Sequence, residues 1–149
     1  MRLFLSGAFI FLATSVMAQS LPFGNVATQW QCEAIHQRQF PNQPGFSSYM
    51  NFTMVLYPNG QAEALGKIQI AAGTGPFQSV ATWQYDGQAV IVQGPMSGGG
   101  AGVTGLSPQY QKFIFIAVPQ SANYMSLEGS QQAQNGGVIR NANHCQRLG

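Results

Sequence analysis

Four side chains near the two ends of the chain are of types that bind zinc: Cys32 and His36, and His144 beside Cys145. A structural zinc site needs four such donors converging on a tetrahedron. In an extended segment neighbouring residues point to opposite faces, so His144 and Cys145 would diverge. The other chemistry open to Cys32 and Cys145 is a disulfide, and the redox compartment decides between the two. If the cysteines join, the histidines come near each other, as a pH-sensitive pair or as two ordinary surface side chains.

The first residues point to the compartment. Arg2 is followed by an uncharged run from Leu3 to Val16. That run is shorter than the roughly 20 apolar residues a membrane-spanning helix requires. Val16-Met17-Ala18 then offers the small-residue pattern of a signal-peptidase site. Residues 1–18 are therefore expected to be a signal peptide, and residues 19–149 a single β domain of the periplasm or the extracellular medium. Gln19 rather than a cysteine follows the cut, which argues against a lipid anchor. No later segment has the length and apolarity to span a membrane. In an oxidising compartment Cys32 and Cys145 read as a disulfide, and neither a metal nor another cofactor is expected.

Other motifs lead away from catalysis. Gly100-Ala101-Gly102-Val103-Thr104-Gly105 has the spacing of a dinucleotide fingerprint. That chemistry needs a helix to open at the glycines, and here Leu106-Ser107-Pro108 and a β-type pattern follow instead. The stretch Gly94 to Gly105 reads as a loop at one end of a sheet, with Gly98, Gly99, Gly100 and Gly102 as candidate contacts for a partner. Gly94-Pro95-Met96-Ser97-Gly98 has the wrong spacing for a nucleophile elbow. Paired carboxylates would have to come from Glu33, Glu63, Asp86 and Glu128. Asp86 belongs to a turn and Glu33 to an outward strand face, which leaves Glu63 and Glu128 unassigned. Beyond Arg2 the basic residues are Arg38, Lys67, Lys112, Arg140 and Arg147. Charged residues make up only 7 % of the chain, too few for a nucleic-acid footprint.

The elements that must position these residues are strands. Trp30, Cys32 and Ala34 share one face of an alternating segment, with Gln29, Gln31 and Glu33 on the other. Tyr49 to Tyr57 alternates likewise, with Met50, Phe52, Met54 and Leu56 on one side. Pro58-Asn59-Gly60 supplies a turn into Gln61 to Ile70, whose inner face is Ala62, Ala64, Gly66, Ile68 and Ile70. A second hairpin joins Ser79–Tyr85 to Gln88–Gln93 through Asp86-Gly87. Phe113 to Val118 is apolar on both faces, so it is either covered twice or part of an exposed patch. Asn123–Glu128 and Val138–Arg147 complete the set, while residues 19–27 and 37–48 read as a leader and a loop. The expectation is an all-β fold: an antiparallel meander of about eight short strands, closed as a small barrel or folded as a sandwich. The layout resembles that of small exported lipocalin-like barrels. Trp30, however, follows Thr28-Gln29 without the Gly-x-Trp of that group, and no residue role is carried over.

An eight-stranded barrel either fills with side chains or holds one small ligand. Small residues at Ala62, Ala64, Gly66 and Ala81 would leave room, and Met50, Phe52, Met54, Ile68 and Trp83 are the candidate ligand-binding residues. The expected function is a non-enzymatic exported binding domain for a small apolar ligand or an exported protein partner. The alternatives are an inhibitor of an envelope or extracellular hydrolase, acting through the glycine-rich loop, and an enzyme with a site assembled from scattered polar residues. Export has a direct check: the mature protein should begin at Gln19, and mass spectrometry of secreted or periplasmic material showing intact Met1 would refute it.

Overall fold

The computed structural model of the chain describes residues 26–98 and 112–149. The expected signal peptide, the fingerprint-like motif, and Gly99, Gly100 and Gly102 lie outside the described residues. Eight strands follow in order: β1 Gln29–Gln39, β2 Phe46–Leu56, β3 Gln61–Ile70, β4 Gly73–Tyr85, β5 Val90–Gly98, β6 Lys112–Ser121, β7 Tyr124–Gln132 and β8 Val138–Arg147. Each pairs antiparallel with the next, and β8 pairs with β1, so the meander closes into a barrel.

The turns form for local reasons. Gly60 takes a positive φ of 83°, which glycine adopts without steric cost, and its N–H donates to the Tyr57 carbonyl at 3.1 Å. Asn59 Oδ1 accepts from the Gln61 N–H at 3.0 Å. At the β4–β5 turn Asp86 Oδ1 accepts from the N–H groups of Gln88 (2.9 Å) and Ala89 (2.7 Å). Asp86 N–H in turn donates to the Ala89 carbonyl, so Gly87-Gln88 forms the tip, one residue later than Asp86-Gly87. The N–H groups of Ala89 and Gln88 hold the Asp86 carboxyl below its ordinary value of 3.8. This brace is fully present above the ordinary value and is lost as the pH falls through the depressed one.

Pairing extends further than local pattern implies. Half of the stretch read as a loop over residues 37–48 is strand, with only residues 40–45 connecting β1 to β2. Likewise β4 begins at Gly73, opposite Ile70, with Ala71 and Ala72 between them. Pro76 sits within that strand opposite Lys67. Cross-strand pairing outweighs the breaker signals of Gly73, Gly75 and Pro76.

The interior is centred on Phe52. Its ring meets Phe77, Phe113 and Phe115 edge-on, at centroid distances of 5.6, 5.5 and 5.5 Å. Such edge-to-face pairs add to area burial because the positive ring edge meets a negative face. Trp30, Met54, Leu56, Val90 and Val92 fill the space toward the end where β1 starts. In β6, Phe113, Phe115 and Ala117 point inward, while Ile114 is exposed on the outer face.

The small inward residues mark close approach. A Cβ on Gly66 would lie 2.1 Å from the Asn51 carbonyl oxygen and 2.4 Å from Phe52 Cβ. On Gly94 it would lie 2.7 Å from Ala81 Cα. Ala62, Ala64 and Ala81 are buried in the same core. These positions let neighbouring strands curl tightly around the aromatic rings, the use of small residues expected at barrel bends. Gly66→Ala should therefore destabilise the fold by at least the 1–3 kcal/mol typical of overpacking, since the obstruction is backbone. Equilibrium urea unfolding measures it, and a loss under about 0.5 kcal/mol would contradict this packing account.

Candidate functional site

The strand directions define two ends. At one end lie the β2–β3, β4–β5 and β6–β7 turns, together with Val26, whose carbonyl accepts from Trp30 Nε1 at 3.0 Å. At the other end β1 hands over to β2, β3 to β4 and β7 to β8, β5 ends at Gly98 and β6 begins at Lys112. Here the inward positions change character. The face that carries Trp30, Cys32 and Ala34 continues as His36 and Arg38, and the face of Cys145 continues as Asn143 and Asn141.

Between these residues lies a cup of about 500 Å³. Its apolar wall is formed by Met50, Ile68, Met96 and Phe113, and its polar rim by His36, Arg38, Ser48, Asn141 and Asn143. The volume falls within the roughly 300–1,000 Å³ typical of small-molecule sites. Arg38 Nε–H donates to His36 Nε2 at 2.7 Å. A guanidinium can only donate, so His36 Nε2 must accept, and the ring is the neutral tautomer protonated at Nδ1. Nδ1–H then donates to Asn141 Oδ1. The chain Arg38–His36–Asn141 thus ties β1 to β8 across the rim.

The cup reaches the barrel wall at one seam. β6 and β7 pair only between Val118–Ser121 and Tyr124–Ser126, with a register shift at Pro119–Ser121. β7 stays paired to β8 over its whole length. Above Val118 the two strands diverge, and Ile114 and Ile116 of β6 and Leu127 of β7 line the cup. Asn143 Nδ2 reaches across from β8 to donate to the Ile116 carbonyl at 2.8 Å. That bond satisfies a strand-edge acceptor where the ladder to β7 has ended.

The residues expected to bind ligand divide by position. Met50 and Ile68 line the cup. Phe52 and Met54 lie in the packed interior, and Trp83 is partly buried with its Nε1 donating to the Tyr57 carbonyl at 2.7 Å. Gly98 is exposed at the end of β5 and borders a hollow of about 340 Å³ with Leu65, Pro76 and Phe77. Arg38, Asn141 and Asn143 were not singled out from sequence, and His36 was weighed only as a metal donor or as one of a histidine pair. Their signal was parity alone, continued from Cys32 and Cys145 into polar residues.

The two histidines do not form a pair. His36 faces the cup opposite Asn141, whereas His144 lies on the outer face opposite Glu33. His144 Nε2 lies 3.1 Å from Glu128 Oε1, and its Nδ1 lies 2.8 Å from the Tyr124 hydroxyl. This Tyr–His–Glu group lies on an open strand surface, with Glu128 68 % exposed, and lines neither the cup nor the neighbouring hollows. A larger hollow of about 790 Å³ lies on the other side of the rim, between residues 37–47 and the start of β8; it shares Arg38 with the cup and is bounded mainly by polar and loop residues.

Cys32 and Cys145 are bonded, as their positions directly opposite each other in β1 and β8 permit. Among the described residues no group of three or more His, Cys, Asp or Glu side chains is arranged to hold a metal. No described helix is long and apolar enough to cross a membrane. No family model matches the chain, and no curated protein is significantly similar to it. Reducing the disulfide should cost about 2–5 kcal/mol while leaving the low-temperature strand signal in place. Circular-dichroism melts with and without reductant test this; two alkylatable thiols in native, non-reduced protein would contradict it.

Proposed function

We propose that the protein is an exported, non-enzymatic binding domain whose end cup receives the apolar part of a small ligand. The observation that carries this reading is the half-and-half lining: Met50, Ile68, Met96 and Phe113 on one side, hydrogen-bonding groups on the rim. Ligand sites commonly combine an apolar body with a few oriented polar groups. The Cys32–Cys145 bond is compatible with an oxidising compartment, which supports export to the periplasm or the medium.

A protein partner is the second reading, and the outer face offers something to it. Leu65 and Val80 are 65 % and 69 % exposed and lie diagonally across β3 and β4. Ile114 is exposed further round the sheet, on β6. Scattered exposed apolar side chains are ordinary on soluble proteins, so this observation weighs less than the cup. The inhibitor alternative rested on a loop that lies mostly outside the described residues.

Two substitutions test the reading with an uncharged fluorophore such as N-phenyl-naphthylamine. Ala34 lines the cup and is not fully buried, so Ala34→Phe should abolish saturable dye binding while changing stability little. Ala64 is 3 % exposed within the packed interior, so Ala64→Leu should instead cost about 1–3 kcal/mol of stability. Absence of saturable dye binding by the unmodified protein would sink the ligand reading and leave the protein partner ahead.

A further inference from the structure

We propose that the cup selects an anionic amphiphile, a carboxylate or similar headgroup on an apolar chain, and that Arg38 holds the headgroup. The inference rests on the binding reading above and adds the ligand's chemical class. Its basis is the placement of charge. The chain has only four acidic residues, and each is engaged away from the cup. Glu33 accepts from the Tyr49 hydroxyl at 2.9 Å on the outer face. Glu63 accepts from Tyr57 near the opposite end, and Asp86 caps its turn there. Glu128 pairs with His144 on the outside of β7 and β8.

The cup receives cations instead. Arg38 is half-buried in its rim, and Lys112, exposed at the start of β6, borders it. Among the described residues neither makes a salt bridge. Among the described residues only the Arg38 Nε–H is engaged, by His36, which is itself anchored on Asn141. That arrangement fixes the guanidinium while leaving its two Nη groups to donate, the geometry that suits bidentate contact with a carboxylate. A partly desolvated, unneutralised guanidinium beside an apolar wall favours a ligand that brings both an anion and an apolar body. The opening between β6 and β7, lined by Ile114, Ile116 and Leu127, gives an apolar chain a route out of the cup.

The test displaces bound uncharged dye with decanoate, decanol or acetate, from the unmodified protein and from the Arg38→Met and Lys112→Gln variants. A charge-assisted hydrogen bond is worth roughly tenfold or more in affinity. Decanoate should therefore displace the dye at least about tenfold better than decanol. Arg38→Met should remove most of that difference by weakening decanoate far more than decanol. Lys112→Gln, at an exposed strand end, should reduce it by a smaller factor and covers the case in which Arg38→Met does not fold. Equal displacement by decanol and decanoate, or a preference unchanged in a folded Arg38→Met protein, overturns the anion assignment and leaves the apolar cup standing. Displacement by acetate as effective as by decanoate also overturns it, because a bare anion site would then suffice. If the dye itself does not bind, the cup reading fails, and this inference fails with it.

Discussion

The pairing of β1 with β8 is the constraint on which the rest of the barrel depends, and the bond between Cys32 and Cys145 fastens it. The two strands meet over Trp30–Gln39 and Val138–Arg147, and without that ladder the meander would be an open sheet with two free edges. The cysteines are 113 residues apart, so the bond closes nearly the whole described chain. In the chain-entropy account a loop of that order removes about 4.7 kcal/mol of freedom from the unfolded state. A chain with so few charges gains little from ion pairs, and its one described salt bridge, His144–Glu128, is surface-exposed.

Closure sets the interior, and packing then divides it. Eight strands enclose a space that a modest set of side chains can fill. Phe52, Phe77, Phe113 and Phe115 take the middle because Gly66 and Gly94 let the neighbouring strands approach closely. Toward the β1–β2 connection the inward side chains become Ala34, Ser48 and Met50, which are too small or too adaptable to continue the ring cluster. The cup is what remains above the aromatic layer. Its floor is the top of that layer, at Phe113, and its rim is polar because water reaches this end.

The seam between β6 and β7 follows from the same closure. β7 is committed to β8 along its whole length, and the bulged register near Pro119 turns β6 away from it. Asn143 bridges the divergence by bonding the Ile116 carbonyl, so the wall loosens without orphaning that acceptor. The same divergence leaves Leu127 partly uncovered, where a fully laddered wall would hide more of it.

Strand existence, facing and several turns were legible in the sequence because each depends on neighbours close along the chain. Alternation placed Trp30, Phe52, Met54 and Ile68 inward, Asn59-Gly60 marked a hairpin, and an even pair of cysteines in a chain read as exported implied their bond. The lengths of β1 and β4 were not legible, because their outer portions are held by cross-strand pairing despite polar or glycine- and proline-containing stretches. The polar rim of the cup was hidden for a related reason. His36, Arg38, Asn141 and Asn143 continue inward-facing positions with polar side chains, so the alternation that reveals a strand disappears where the cup begins. Alternation states which side chains enter a barrel; how far each reaches across it depends on what the opposite strands contribute at the same height. Whether Ala64 and Gly66 leave space or admit Phe52, and whether Arg38 meets an acid or an open cup, could be decided only by the closed tertiary structure.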